Sequence, residues 1–154
     1  MEIERKWLVD KKRLQWLIEN SFYQERIEQH YLNSKNEEWI IRVRRSVSDN
    51  DTEYFLTLKS KGLLSREELQ SEIGKDTYQD AIKHSKGCVK KTRYTIDVPT
   101  ADLTYDIDVY DDYDFVTCEV EFHSESDAEK FEVPEWCLQD VTMDPKYKND
   151  NLAK

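Results

Sequence analysis

Charged residues recur at positions i and i+2 along most of this chain, with an apolar or neutral residue between them. Glu2, Glu4 and Lys6 form one such set. Arg42 and Arg44, Thr57 and Lys59, Glu68, Gln70 and Glu72, Lys91 and Arg93, Asp106 and Asp108, and Glu119 and Glu121 form others, and Gln29 and Tyr31 share the same spacing. In a β-strand, side chains two apart point to the same face, so each set lies on one face of a strand. The opposite phase carries Ile41 and Val43, Leu56 and Leu58, Ile107 and Val109, and Val120 and Phe122. Such two-faced strands must be buried on their apolar side.

The period-two segments predict strands over 2–9, 25–33, 38–47, 53–60, 66–73, 89–98, 103–110 and 117–123. A hairpin is expected around Ser34-Lys35-Asn36, and polar turns at 48–51 and 99–102. Three short helices interrupt the pattern: one capped by Asp10 and running to Asn20, one capped by Asp76 over 77–86 and closed by Gly87, and one capped by Ser126 through Phe131. The tail, Val133 to Lys154, carries no clear period. Sequential strands joined by turns imply antiparallel pairing, and the crossover helices of a parallel sheet are missing. The fold class is therefore mainly β with some α. Eight strands are about the number that closes a small barrel.

A chain of 154 residues suits a single domain over 1–154. Its 36% charged residues are many for a globular protein, but 12% aromatics and the regular period argue against disorder. A net charge of −10 disfavours nucleic acid as a partner. Cys88, Cys118 and Cys137 are odd in number and lack Cys-x-x-Cys spacing, so they read as free thiols in a reducing compartment. The start of the chain lacks the apolar run of a secretory signal, and no stretch approaches the ~20 apolar residues of a membrane span. A soluble cytoplasmic protein is expected. The oligomeric state stays open, a homodimer included.

Like charges side by side on one strand repel unless a counter-ion lies between them. Asp-x-Asp and Glu-x-Glu are hard-oxygen sets suited to Mg²⁺ or Mn²⁺. Arg-x-Arg suits an oxyanion, because guanidinium forks match phosphate oxygens. Both on the lining of one barrel would make a metal–polyphosphate site. An ordinary solvated sheet, whose outward face carries mixed charges, is the competing reading.

The opening Glu2-Ile3-Glu4-Arg5-Lys6 resembles the Glu-x-Glu-x-Lys motif of the CYTH family, the triphosphate tunnel metalloenzymes. The later segments follow in that family's order: Arg42-Val43-Arg44, Thr57-Leu58-Lys59, Ser65-Arg66-Glu67-Glu68, Lys91-Thr92-Arg93, Asp106-Ile107-Asp108, Glu119-Val120-Glu121 and Tyr147-Lys148-Asn149. The chain departs from the pattern at Gln70, where an acid is usual; Glu72, on the same face, is the candidate substitute. The resemblance implies an eight-stranded antiparallel β-barrel tunnel with a few helices packed outside, and metal-dependent hydrolysis of a triphosphate chain, inorganic triphosphate foremost.

On that basis Glu4, Glu119 and Glu121 are expected to hold the metal, with Glu2, Asp106 and Asp108 tuning the cluster or binding a second ion. Lys6, Arg42, Arg44, Lys59 and Arg93 are expected to grip the triphosphate, and Lys148 to close one mouth. Lys59, Lys91, Tyr31 and Arg93 are the candidate catalytic residues. His30, out of phase with Gln29 and Tyr31, is a poor candidate, as are His84 and His123. The rival functions are ATP cyclisation to cAMP, hydrolysis of thiamine or nucleoside triphosphates, and a binding module without turnover.

Overall fold

Strand β1, Glu2–Val9, organises the molecule, because three other strands bond to it. The computed structural model describes every residue except Ser34, Asn36 and Leu63. After β1 come a 3-10 turn at Lys11–Arg13 and helix α1 at Leu14–Glu19. Asp10 caps this segment, its carboxylate accepting from the Lys12 N–H, as expected. Strands β2 (Tyr23–Tyr31), β3 (Trp39–Ser48) and β4 (Asp51–Ser60) form a meander. The centre of the predicted 34–36 hairpin lies outside the described residues, but its flanks pair, Tyr31 facing Arg42. At the next turn Asp49 adopts φ 46°, a left-handed conformation that a short polar side chain tolerates.

Strands β5 (Ser65–Arg66) and β6 (Glu68–Glu72) follow, then helix α2 at Lys75–Ile82. Here the expectation needs correction: Gly74, not Asp76, is the N-cap, and Asp76 lies inside the first turn. Strands β7 (Gly87–Asp97), β8 (Thr104–Tyr110) and β9 (Val116–Glu121) form a second meander. Helix α3, Glu125–Lys130, is capped by Ser124 rather than Ser126, because Ser124 accepts the Asp127 N–H. The tail resolves into strand β10 (Cys137–Asp140), a 3-10 turn (Pro145–Tyr147) and the one-turn helix α4 (Asn149–Leu152).

The sheet runs β10-β1-β9-β8-β7-β2-β3-β4-β6, and β5 returns to β1 with Glu2 opposite Arg66. Since β5 and β6 are one run interrupted at Glu67, this pairing joins the ends of the sheet into a barrel of eight staves, with β10 added along β1. The Glu4 N–H donates to the Leu64 carbonyl at 3.2 Å and strengthens the closure.

The larger apolar core lies outside the barrel. Leu17 of α1 and Ala128 of α3 bury themselves against Trp7, Ile96, Ile107, Val120 and Phe122 on the outer faces of β1, β7, β8 and β9 and the chain following β9. On the far side Tyr78 of α2 packs on Tyr54, ring centroids 5.1 Å apart. A second cluster fills one end of the lumen, where Tyr31, Ile40, Val89 and Tyr110 meet Leu152 and Ala153 of the tail. Among the described residues no helix is long and apolar enough to cross a membrane.

Leu17 has no exposed surface and fastens α1 to the barrel wall. Leu17→Ala is expected to lower the unfolding free energy by about 2–5 kcal/mol in urea titration; a loss under about 1 kcal/mol would show that α1 is not a structural clamp.

Candidate active site

The charged faces point inward. Arg42, Lys59, Lys91, Glu2 and Glu119 are each at least nine-tenths buried, although every one carries or can carry charge. They surround a cavity of about 230 Å³ inside the barrel. Thr57 and Gln29, on the same phase, are buried with them. Strand alternation accounts for this: once the apolar phase is committed to the outer helices, the other phase has only the lumen to enter.

The lumen is polarised by strand order. Adjacent β1, β9 and β8 bring Glu4 opposite Glu121 and Asp106 opposite Glu119, forming an acidic wall. The basic wall comes from β3 and β4, with Arg42 opposite Thr57 and Ile40 opposite Lys59. Between the walls, β7 contributes Lys91 and Arg93. Both are fastened to Asp108: Lys91 Nζ donates to Oδ2 at 2.8 Å, and Arg93 donates from Nε and Nη2 at 2.7 and 2.9 Å. Across the closing seam Arg66 Nε donates to Glu2 Oε1 at 2.8 Å and Arg66 Nη2 to Glu4 Oε1 at 3.1 Å. Lys59 Nζ also reaches Glu2, at 3.0 Å.

Each wall is electrostatically crowded. Burial raises the Glu4 carboxyl above its ordinary range, and the charges of Glu119 and Glu2 raise it further. Burial, then Asp108 and Glu119, raise Asp106; burial, then Glu2 and Glu4, raise Glu121. Glu119 is the exception. Burial works against its charge, but Lys6, Arg93, Lys91 and Lys59 outweigh that and hold it well below the usual carboxylate range. On the basic side burial, with Arg42 and Arg93 adding, pushes Arg44 down to about 10. Burial and the Arg42 and Arg66 charges lower Lys59. Lys91 is pushed down to about 8 by burial, against the pull of Asp108.

Arg42 Nε, Arg44 Nε and Glu119 Oε1 are buried without a hydrogen-bond partner among the described residues. Orphaned guanidinium donors on one side, and on the other a carboxylate oxygen whose one close charged neighbour is Lys6 Nζ at 3.3 Å, fit an anion and a hard dication meeting in one cavity. The acids are not drawn into one tight chelate among the described residues. Glu2 and Glu4 lean on Arg66, and Glu119 on Arg93 (3.4 Å) and Lys6 (3.3 Å).

The placement of the expected residues is uneven. Glu2, Glu4, Arg42, Arg44, Lys59, Lys91, Arg93, Asp106, Glu119 and Glu121 line the main cavity. Lys6, Tyr31 and Lys148 line its narrow end. Asp108 lies behind the lining, with no exposure, locked to its two cations. Gln70 keeps its place in the cavity wall and accepts from Thr57 at 3.1 Å, whereas Glu72 is exposed and outside that lining. His84 lies just beyond α2 and His123 just beyond β9, both exposed.

Gln29, Arg66, Glu68, Gln70 and Asn149 line the cavity without a role assigned from sequence, and of these Arg66 and Asn149 hydrogen-bond to the charged set. Arg66 has the same i, i+2 relation to Glu68 as the other paired charges, so its signal was present. Asn149 sits in an aperiodic tail; only the fold brings its Oδ1 to 3.4 Å from Lys91 Nζ and 3.1 Å from Tyr110 Oη. The same tail closes one mouth: the Tyr147 carbonyl accepts from Lys6 Nζ at 2.6 Å, and the Cys88 and Lys154 backbones bond mutually at 2.9 and 3.0 Å.

Comparison with known proteins agrees with this geometry. The family model described as CYTH domain matches residues 1–140. An inorganic triphosphatase from Nitrosomonas europaea is 35% identical over 155 aligned positions, covering 99% of this chain and 96% of that protein. A crystal structure of an inorganic triphosphatase is similar at TM-score 0.64 and 30% identity, covering 99% of this chain and 94% of the other. A protein from Pyrococcus horikoshii shares the fold at TM-score 0.66 and 20% identity, over 84% of this chain and 82% of its own.

Asp108 neutralises two buried cations at once, so Asp108→Asn is expected to cost about 3–5 kcal/mol of stability, the scale for breaking a buried ion pair. Denaturant unfolding at neutral pH checks this, and a cost below about 1 kcal/mol would show that Lys91 and Arg93 do not depend on it.

Proposed function

This chain belongs to the CYTH domain family, and from that premise we propose that it hydrolyses inorganic triphosphate to diphosphate and phosphate with Mg²⁺ or Mn²⁺. One observation carries the reading: a single small cavity has a crowded acidic wall facing a crowded basic wall. A triphosphate neutralises the basic side, a divalent ion neutralises the acidic side, and together they relieve both. Among the described residues no aromatic side chain lines the main cavity, which favours a bare phosphate chain over one carrying a base or a thiamine ring.

Arg42, Arg44, Lys59 and Arg93 grip the phosphate oxygens through charge-assisted hydrogen bonds, and Lys6 and Lys148 serve the narrow end. Glu4, Glu119 and Glu121 hold the metal; Glu2 and Asp106 shape the field around it. Asp108 acts through Lys91 and Arg93, which it positions. When bound, the metal neutralises phosphate charge and lowers the pKa of an attacking water. Water attacks the terminal phosphorus, the bond from that phosphorus to the bridging oxygen breaks, and diphosphate departs. Lys91, pushed down to about 8 by burial, and Tyr31 at the narrow end are placed to manage the proton. The closed mouth makes the opposite opening, where Glu121 is exposed, the route of entry and exit.

Purified protein should release phosphate from inorganic triphosphate with Mg²⁺ or Mn²⁺ and stop on addition of EDTA. Arg42→Ala and Glu119→Ala should each lower turnover about 100-fold or more, the scale of losing one electrostatic catalytic group. Near-normal turnover in both would take the lumen out of the mechanism.

A second expectation follows from the acids raised by burial and repulsion. When ionised they oppose folding; the penalty is present above their folded pKa values and disappears as pH falls through them and they bind protons. Mg²⁺ should thus raise the melting temperature by several degrees at pH about 7.5, given roughly 2–4 °C per kcal/mol and about 2.7 kcal/mol at 100 times Kd. The gain should largely vanish near pH 4, where protons compete with the ion. An equal shift at both pH values would contradict a carboxylate-held metal.

A further inference from the structure

Outside the barrel, three chemically different ligand atoms meet at one point. Glu28 and His30 project from the outer face of β2, and Cys88 from the adjacent β7, where His30 pairs with Cys88. Glu28 Oε1 lies 2.9 Å from His30 Nε2, and Cys88 Sγ lies 3.6 Å from the same nitrogen. All three ligand atoms fall within 4.8 Å of one another, and all three residues are partly buried.

The tautomer of His30 can be read from its other side. Ser85 Oγ lies 3.2 Å from the Gly87 carbonyl, to which its hydroxyl hydrogen donates. It therefore accepts from His30 Nδ1–H, at 2.8 Å. In the neutral ring that leaves Nε2 with a lone pair facing a carboxylate oxygen, two acceptors in contact; in the imidazolium the same nitrogen donates to Glu28. A proton on Nε2 satisfies one of its two neighbours. A cation among the three atoms satisfies both and the nitrogen as well.

From this geometry we infer a second metal site, made of Glu28 Oε1, His30 Nε2 and Cys88 Sγ, suited to Zn²⁺ or a similar thiophilic dication. A tetrahedral Zn²⁺ with Zn–N about 2.0–2.1 Å and Zn–S about 2.3 Å places N and S about 3.5 Å apart, close to the separation found. Thiolate and imidazole disfavour Mg²⁺, so the site is separate from the tunnel in chemistry as well as in place. Ser85 orients the imidazole, the outer-shell device common at metal-bound histidines. Arg45 approaches the other oxygen of Glu28, Oε2, at 3.8 Å, which leaves Oε1 for the ion.

A second observation points to the same spot. Tyr78 is 3% exposed and its hydroxyl has no hydrogen-bond partner among the described residues. Its ring stands edge-on to His30, centroids 6.2 Å apart, and burial, then the charge of Glu28, raise its hydroxyl pKa against the opposing charge of Arg45. On binding, the Cys88 thiol gives its proton to solvent and its sulfur pair to the metal; burial otherwise pushes this thiol up to about 11 and keeps it protonated. The site does not depend on what the tunnel hydrolyses.

Co²⁺ is the probe, added to the intact protein with Mg²⁺ in large excess. A thiolate-to-cobalt charge-transfer band should grow and saturate at roughly one equivalent per chain, with proton release, and bleach when Zn²⁺ displaces Co²⁺. Cys88→Ser should abolish the band and Cys137→Ser should keep it. Ser85→Ala should weaken Co²⁺ binding about 10-fold to 100-fold. Zn²⁺ should also slow alkylation of Cys88 in the unmodified protein, followed by peptide mass, which decides the matter even where a variant does not fold. Absence of the band in the folded wild-type protein, its survival in Cys88→Ser, or alkylation of Cys88 unaffected by Zn²⁺ would each overturn the inference.

Discussion

Charge in a protein interior is costly unless another charge answers it, and this barrel is built around that constraint. Its lumen holds arginines, lysines, aspartates and glutamates in a space of about 230 Å³. Asp108 bears the heaviest part. Without exposure of its own, it anchors Lys91 and Arg93 and so holds β7 between the acidic and basic walls. Arg66 plays the matching part at the seam, where its contacts with Glu2 and Glu4 tie β5 to β1 and close the ring. The ion pairs that make the lumen tolerable are thus also those that shape it.

Pairing within the protein is incomplete, and the remainder is directional. Glu4, Asp106 and Glu121 are raised as carboxyls, while Arg44 and Lys59 are lowered as cations. A fold selected for stability alone would have mixed these signs or replaced them with apolar side chains. Held apart on opposite walls, they retain the capacity to bind something that is itself both a polyanion and a cation. Stability comes instead from the outer shell, where α1 and α3 cover the apolar phase of β1, β7, β8 and β9. Core and site therefore use alternate residues of the same strands, and a change of register in any of these strands would damage both.

The outer surface near β2 and β7 shows the same economy. β2 sends Gln29 and Tyr31 into the lumen and Glu28 and His30 outward, so one strand contributes to the cavity and to the cluster at Cys88. The backbone of Cys88 is also bonded to Lys154, at the end of the tail that brings Lys148 and Asn149 to the narrow end of the tunnel.

The period of two was legible from residues alone, and it determined the strands, which residues share a face, and the like-charge pairs that called for counter-ions. β1 was read to its last residue, and the eight staves followed from counting such runs. Alternation cannot say which face turns inward, because a solvated sheet and a charged tunnel share one pattern. Only closure of β5 onto β1, together with helices laid on the apolar side, decided that. The tail's closing of one mouth was expected only through the family resemblance at Lys148, and the contacts of Asn149 escaped because a one-turn helix has no period to detect. Asp108 was recognisable as an acid of the set, but its withdrawal behind the lining depends on two cations from a neighbouring strand. The convergence of Glu28, His30 and Cys88, nearly sixty residues apart in the chain, depended likewise on the register of β2 against β7. Local spacing records what lies along a strand; what meets across strands is set by hydrogen-bond register and by the curvature that closes the sheet.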